Sequence, residues 1–129
     1  MQPVKIEGAL WYEFDQNNSG GYYERGDFVA DVVFIQAMND DEAESRMRDM
    51  IDNDSAWNYC DCCGERWSFW SVKGYEVPTR YGDPVTEGVD LFSKNGYILF
   101  HGLNGRTLKW SGKLDESPTE IGRIESTGA

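Results

Sequence analysis

The chain has few of the residues that mark the most easily recognised protein classes. Among its 129 residues are three cysteines, one histidine and four prolines. No apolar run approaches the roughly 18 residues that a membrane-spanning helix needs, and no apolar segment typical of a secretory signal stands near Met1. So few cysteines argue against a disulfide framework. Together these shortages lead us to expect a cytoplasmic protein in a reducing compartment.

Positive charge is also scarce. The chain has 12 Lys and Arg against 23 Asp and Glu, a formal net charge of −11. Such a balance disfavours direct binding to a nucleic-acid backbone. The imbalance is concentrated in residues 1–66, and within residues 38–65 nine acidic residues accompany only two arginines. This segment is either a solvated acidic surface or a docking face for a basic partner.

Motifs for nucleotides and calcium are missing as well. The sequence contains neither G-x-x-x-x-G-K-[ST] nor G-x-G-x-x-G. Asp52-Asn53-Asp54 begins like a calcium-binding loop, but Trp57 and Cys63 stand where that loop needs glycine and glutamate. We therefore expect no nucleotide-binding loop and no EF-hand.

The residues that are present predict one globular domain. Hydrophobic residues make up 40% of the chain and aromatic residues 14%, enough to build a core. Apolar patterning and turn residues predict a β-β-α-β-β-β order, which is typical of an α+β fold with one helix packed on a mostly antiparallel sheet. The predicted strands are 4–14, 27–37, 67–72, 89–93 and 97–101, with a further short one at 106–110. The domain is expected to span 1–111, followed by a flexible tail at 112–129 rich in Ser, Gly and Thr.

Two local patterns are the most specific. Asn39 is a good N-cap and Glu42 follows three residues later, so a helix is predicted at 40–51. Its apolar stripe consists of Ala43, Met47, Met50 and Ile51. Asn95-Gly96, between two apolar runs, predicts a tight hairpin.

The cysteines stand together around one turn. Cys60 and Cys63, followed by Gly64, have the spacing of half a zinc knuckle. Adding Cys62 and His101 would supply four ligands, and sharing one ion between two chains is another route to four. The alternative is a set of reduced thiols in a tight turn, with His101 simply packed in its strand. Neither a redox motif nor a Cys–His catalytic pair has its usual sequence context.

Aromatic residues surround the cysteines. They either form a small satellite core or anchor a protein interface; they are Trp57, Tyr59, Trp67, Phe69, Trp70, Tyr75 and Tyr81. Strand alternation places Trp67 and Phe69 on one face and Trp70 on the other. Trp70 is therefore the candidate exposed anchor. The candidate partner-binding residues are Asp40, Asp41, Glu44, Asp52, Asp54, Trp57 and Trp70.

Three segments carry a family resemblance. Asp31-Val-Val-Phe-Ile-Gln-Ala, Asp41-Glu-Ala-Glu-Ser-Arg and Cys62-Cys63-Gly-Glu-Arg-Trp-Ser resemble a group of small, uncharacterised proteins of tailed bacteriophages. The resemblance covers roughly residues 27–70. It implies expression in a bacterial cytoplasm and brings no activity or catalytic residue.

These observations lead us to expect a small acidic, non-enzymatic accessory protein that binds a basic surface of a host or phage protein. The most specific version of this expectation is an inhibitor whose carboxylates imitate the phosphates that a nucleic-acid-binding protein recognises. One alternative is a zinc-stabilised structural or virion component, in which the cysteine turn supports folding. Another is a thiol-dependent enzyme, which requires a thiolate in an accessible, electropositive pocket.

Overall fold

The structure is a computed structural model that describes residues 6–16, 25–54, 59–60, 64–65, 67, 69, 73–89, 91 and 95–123. Within these residues, one α-helix accompanies a series of strands, most of them short. In chain order the elements are β1 (Leu10–Asp15), β2 (Val32–Ala37), α1 (Asp40–Asn53), β3 (Tyr59–Cys60), β4 (Gly64–Glu65), β5 (Gly74–Tyr75), β6 (Thr79–Arg80), β7 (Asp83–Pro84), the 3-10 turn Val85–Glu87, β8 (Ile98–His101), β9 (Arg106–Trp110) and β10 (Thr119–Arg123). No helix in the described part of the chain is long and apolar enough to cross a membrane.

A six-stranded sheet organises the fold, in the order β10-β9-β8-β2-β1-β5. The α+β class predicted from the sequence is confirmed. The sheet is mixed, however, because β2 and β8 pair in parallel while the other neighbours are antiparallel. All six residues of β2 are buried, as expected for a central strand covered on both faces.

The two faces of the sheet carry separate cores. Helix α1 covers one face, where the buried residues are Tyr12, Phe14, Val29, Val33, Ile35, Ala37, Ala43, Met47, Met50, Ile51 and Trp67. The opposite face is aromatic, with Phe34 and Phe100 stacked at 5.3 Å between ring centroids; its buried residues are Trp11, Val32, Phe34, Val85, Ile98, Phe100 and Trp110. Strand alternation sends neighbouring side chains to opposite cores.

Helix α1 begins as the sequence predicts. The side chain of Asn39 accepts a hydrogen bond from the Glu42 amide at 2.8 Å, and Glu42 accepts one from the Met38 amide at 3.0 Å. These bonds satisfy amides that the first turn would otherwise leave unpaired. The predicted stripe Ala43, Met47, Met50 and Ile51 is buried, which confirms the prediction of a helix packed on the sheet.

The hairpin predicted at Asn95-Gly96 does not form. Both edges of β8 are already occupied, by β2 and by β9, so no edge remains for residues 89–93. Neither Asn95 nor Gly96 has the positive φ that a type I′ turn requires. Gly96 instead allows close approach, because a Cβ there would lie 2.5 Å from a carboxylate oxygen of Asp31. The hairpin that does form joins β8 to β9 and turns at Gly105, with φ +84°.

Other predicted boundaries shift for identifiable reasons. The strand predicted at 27–37 begins at Val32, because backbone groups of residues 26–30 bond to side chains rather than to a neighbouring strand. Of the strand predicted at 67–72, Trp67 forms an isolated bridge with Gln16, and most of the rest lies outside the described residues. The segment predicted as a tail at 112–129 contributes β10 to the sheet.

Candidate protein-binding surface

The outward side of α1 carries a row of exposed carboxylates. Asp41, Asp49 and Asp52 are exposed and lie opposite the buried stripe, since their spacing brings them to one side of a helix with 3.6 residues per turn. We call these three residues the outer stripe of α1. Asp40 is also exposed, at the N-terminal end of the helix.

Both arginines of α1 are engaged elsewhere. Arg46 donates to the carbonyl of Gln36 and, at 3.3 Å, to that of Gly102. Burial lowers the pKa of Arg46, although Glu42 and Asp49 oppose the shift. Arg48 donates to Glu44 at 2.9 Å and lies 4.1 Å from the centroid of the Phe69 ring. The helix cations are therefore directed toward the sheet or one flank, and the stripe remains a negative surface.

The predicted partner-binding residues divide into distinct groups. Asp40, Asp41 and Asp52 are exposed on α1, and Glu44 is partly neutralised by Arg48. Trp57 and Trp70 lie outside the described residues. The exposed apolar side chain nearest in sequence to the stripe is Met38, with 49% of its surface accessible.

Asp54 has a structural use. One of its carboxylate oxygens accepts hydrogen bonds from the backbone amides of Phe28, at 2.8 Å, and Val29, at 2.7 Å. This carboxylate therefore fixes residues 25–31, the segment that leads into β2. Tyr97 donates to the Gly26 carbonyl of the same segment at 2.9 Å, and Gln16 donates to Ala30 at 2.6 Å.

His101, a predicted metal ligand, is fully buried in β8. Its Nδ1 lies 2.9 Å from Oγ1 of Thr107, and its Nε2 lies 2.7 Å from the carbonyl oxygen of Phe28. Burial lowers the pKa of His101 to about 4, and the nearby Arg46 acts in the same direction. Both ring nitrogens thus have protein partners, which favours the packed-histidine alternative over ligation.

Only the backbone of the strands that flank the cysteine turn is described. β3 and β4 pair antiparallel, with Cys60 opposite Gly64. Cys62, Cys63 and the side chain of Cys60 lie outside the described residues. Among the residues that the structure describes, no cluster of three or more potential metal ligands occurs.

A cavity of about 630 Å³ lies where β8 begins and β9 ends. Its lining includes Trp110 and two of the chain's cations, Lys109 and Lys113. The ammonium of Lys109 lies 4.2 Å from the centroid of the Tyr97 ring. This cation–π contact holds the lysine against the wall of the cavity.

The sequence analysis missed the role of Tyr81. Tyr81 belongs to the aromatics predicted either to form a satellite core or to anchor a protein interface, and 78% of its surface is exposed. It occupies the two-residue turn of the β6–β7 hairpin, with φ +54°, and Gly82 follows with φ +84°. The Tyr81-Gly82 pair between Arg80 and Asp83 was the available sequence signal, since a glycine there permits a type I′ turn.

Comparison with known proteins gives one match. The family model described as Domain of unknown function (DUF7296) matches residues 9–119, which run from just before β1 to the start of β10. No curated protein and no solved structure matches the chain. Because the matched residues make up most of its length, the chain belongs to the family described as Domain of unknown function (DUF7296).

Proposed function

We propose that this chain is a small acidic, non-enzymatic accessory protein, of the type encoded by tailed bacteriophages, that binds a basic surface of a protein partner through α1. The observation that carries this proposal is the outer stripe of α1: Asp41, Asp49 and Asp52 are exposed, while Arg46 and Arg48 are held by other contacts. The ion pair described within α1 joins Arg48 to Glu44 rather than to a carboxylate of the stripe, so the stripe carries an excess of negative charge.

A rigid helix suits this role. The buried stripe and the cap at Asn39 fix α1 against the sheet, so the carboxylates are presented with little conformational entropy left to lose on binding. Complementary charge raises the rate of encounter with a basic partner and selects against acidic ones. Met38, beside the N-terminus of α1, offers an apolar contact at the end of the stripe.

The spacing of the charges favours phosphate imitation. Asp41 and Asp52 are 11 residues apart, which is about 16 Å along a helix axis. One DNA strand places about five phosphates in that length. With Asp40, four exposed carboxylates occupy a comparable span, so the surface has the charge density that a nucleic-acid-binding protein recognises. We therefore propose inhibition of such a protein, in the bacterial cytoplasm, as the specific outcome of binding.

A second candidate function is a zinc-stabilised structural or virion component. The observation that favours it is the antiparallel pairing of β3 with β4, which places Cys60 directly opposite Gly64. The spacing of Cys60 and Cys63, followed by Gly64, is that of half a zinc knuckle. In this alternative the metal stabilises the turn and the charge of α1 is incidental.

The proposal is tested with two variants that have the same net charge. One lacks three carboxylates of the stripe, and the control lacks three carboxylates elsewhere. The test variant carries Asp41→Asn, Asp49→Asn and Asp52→Asn. The control carries Glu87→Gln, Asp115→Asn and Glu116→Gln, three exposed carboxylates elsewhere. Proteins captured from a bacterial lysate are identified by mass spectrometry, purified, and titrated calorimetrically with each variant.

We expect the stripe variant to bind at least about tenfold more weakly than the wild type, and the control variant to bind like the wild type. Equal losses in the two variants would mean that only overall charge matters, and would contradict a specific surface on α1.

A further inference from the structure

Tyr81 is held in a backbone conformation that its side chain does not favour. Its φ of +54° and that of Gly82, +84°, form the two central positions of a hairpin turn closed by Arg80 opposite Asp83. Type I′ turns of this kind prefer Asn, Asp or Gly at both positions. A bulky residue with positive φ is unusual, and such strain occurs preferentially at functional sites.

Packing within the molecule does not account for the choice of tyrosine. The side chain is 78% exposed, more than any other large hydrophobic residue among those the structure describes. It belongs to neither of the two core clusters. An asparagine or glycine at this position would satisfy the turn with less strain, and the contacts of the tyrosine with its neighbour Arg80 leave most of the ring open.

Arg80 fixes the position of the ring. Its guanidinium lies 4.6 Å from the centroid of the Tyr81 ring, and its Nη2 donates to the tyrosine hydroxyl at 3.2 Å. Arg80 is itself anchored to the sheet, because it pairs with Glu13 and, at 3.5 Å, with Asp15 of β1. The exposed ring is therefore supported by a guanidinium whose side chain is only 11% exposed.

The base of the hairpin is also fixed. Val85, just after β7, donates its amide to the Pro78 carbonyl at 2.9 Å and is buried in the core opposite α1. The ring thus stands on a rigid support, and fixing it in a complex costs little further entropy. Tyrosine and arginine are the residues most enriched, with tryptophan, at the energetic centres of protein interfaces.

We propose that Tyr81 anchors a second protein-binding surface, inserting its ring into an apolar pocket of a partner protein whose rim carries Lys or Arg. The rim is expected to be basic because the residues around the hairpin carry a net negative charge. Within the group formed by Arg80, its two carboxylate partners Glu13 and Asp15, and the exposed Asp83, acidic residues outnumber the arginine. Negative charge around the anchor disfavours nucleic acid and anionic membranes as partners.

This surface is separate from the one proposed on α1. The hairpin leads into Val85, which packs with Trp11 in the core on the sheet face opposite α1. Glu13 alternates with Tyr12 and Phe14, which face α1. The two surfaces therefore point away from each other and can be tested independently.

Photo-crosslinking identifies the partner, and affinity measurements then test the anchor. A benzophenone-bearing amino acid is placed at position 81 and, as the matched control, at position 114, where Leu114 is 69% exposed. Both proteins are produced in bacteria and irradiated, and the protein crosslinked at position 81 is purified. Its affinity is measured for the wild type, for Tyr81→Asn and Tyr81→Phe, and for the control Leu114→Asn.

We expect a crosslinked protein at position 81 that is absent at position 114. Tyr81→Asn should weaken its binding about 30-fold, the size of a strong interface contact, while leaving the melting temperature close to that of the wild type, because the relief of backbone strain offsets the lost contacts with Arg80. Tyr81→Phe should retain most of the affinity, since it keeps the ring. A role in folding alone would lower the melting temperature instead.

Three results would overturn the proposal. One is crosslinking at position 81 that does not exceed that at position 114. Another is capture of a second copy of the chain alone. The third is an unchanged affinity for Tyr81→Asn.

Discussion

Nδ1 of His101 and Oγ1 of Thr107 lie 2.9 Å apart across the β8–β9 pair. With a proton on Nε2, the neutral ring donates to the Phe28 carbonyl and accepts from the Thr107 hydroxyl. A second ring proton would have no acceptor at Thr107 unless the hydroxyl rotated, and it would place a charge in the core. The surroundings of His101 therefore favour the neutral form of its ring.

Stability should consequently fall in mild acid. The pKa of His101 is lowered from 6.5 to about 4 by burial, so the unfolded chain takes up a proton between these values and the folded chain does not. We expect the free energy of unfolding to decrease as pH falls through this window, by roughly 3 kcal/mol for this group.

Urea denaturation at a series of pH values measures the effect. His101 is the chain's one histidine, so subtracting the profile of His101→Gln from that of the wild type isolates it from the carboxylates. Parallel profiles would show that His101 titrates normally in the folded state.

Asp54 and Asp52 offer a matched pair two residues apart. Asp54→Ala removes the acceptor for the amides of Phe28 and Val29, and we expect a loss of about 1–3 kcal/mol in the free energy of unfolding. Asp52→Ala, at an exposed position, should change it by less than about 0.5 kcal/mol. Equal effects in chemical denaturation would show that Asp54 does not hold residues 25–31.

Strand β10 should contribute to stability although its segment has the composition of a tail. Trp110 donates its indole N–H to the carbonyls of Lys113 and Glu116, and β10 pairs with β9. A chain ending at residue 111 loses both acceptors. We therefore expect its free energy of unfolding to be lower by about 1–3 kcal/mol, and its unfolding to occur at a lower urea concentration. A chain ending at Arg123 keeps all of β10 and is the control. Identical urea midpoints would indicate that β10 adds nothing.

Zinc binding, if the second candidate function holds, should not depend on His101, whose nitrogens have protein partners. We expect the zinc content per chain, measured by mass spectrometry of the metal, to be the same in His101→Gln as in the wild type and to fall in Cys60→Ser. Wild-type protein purified without chelators and containing no zinc would rule out the metal proposal.

Binding through α1 should weaken with salt. Raising ionic strength from about 50 to about 300 mM shortens the screening length of exposed charges, so we expect the affinity for the partner to drop more for the wild type than for the variant lacking Asp41, Asp49 and Asp52. Calorimetric titration at both salt concentrations gives the comparison. The same slope for both proteins would remove the outer stripe from the interface.

Local features were predictable from the sequence, whereas long-range pairing was not. The cap at Asn39 and the stripe from Ala43 to Ile51 depend on contacts three to eight residues apart, which helical periodicity specifies directly. The parallel pairing of Val32 with Ile98 joins segments far apart in sequence, and no local pattern encodes it. The same limitation explains Asn95-Gly96, whose glycine accommodates Asp31 rather than a turn.

The candidate site was also predictable only where it depends on local sequence patterns. Asp41 and Asp52 follow from the helix and its buried side. The roles of Asp54 and His101 depend on residues 28 and 29, which only the folded chain brings near them. Exposure of Tyr81 is set by where its hairpin lies on the sheet, and aromatic composition cannot distinguish an exposed ring from a packed one.

The pairing of β2 with β8 has a consequence for synthesis of the chain on the ribosome. Val32–Ala37 emerges early, and its neighbour Ile98–His101 is made only after about sixty more residues. Until then one edge of a strand with only one polar residue, Gln36, has no native neighbour, which exposes the nascent chain to aggregation and to capture by chaperones. Truncated messenger RNAs whose coding sequence ends before residue 98 should therefore yield insoluble fragments rather than a smaller folded domain.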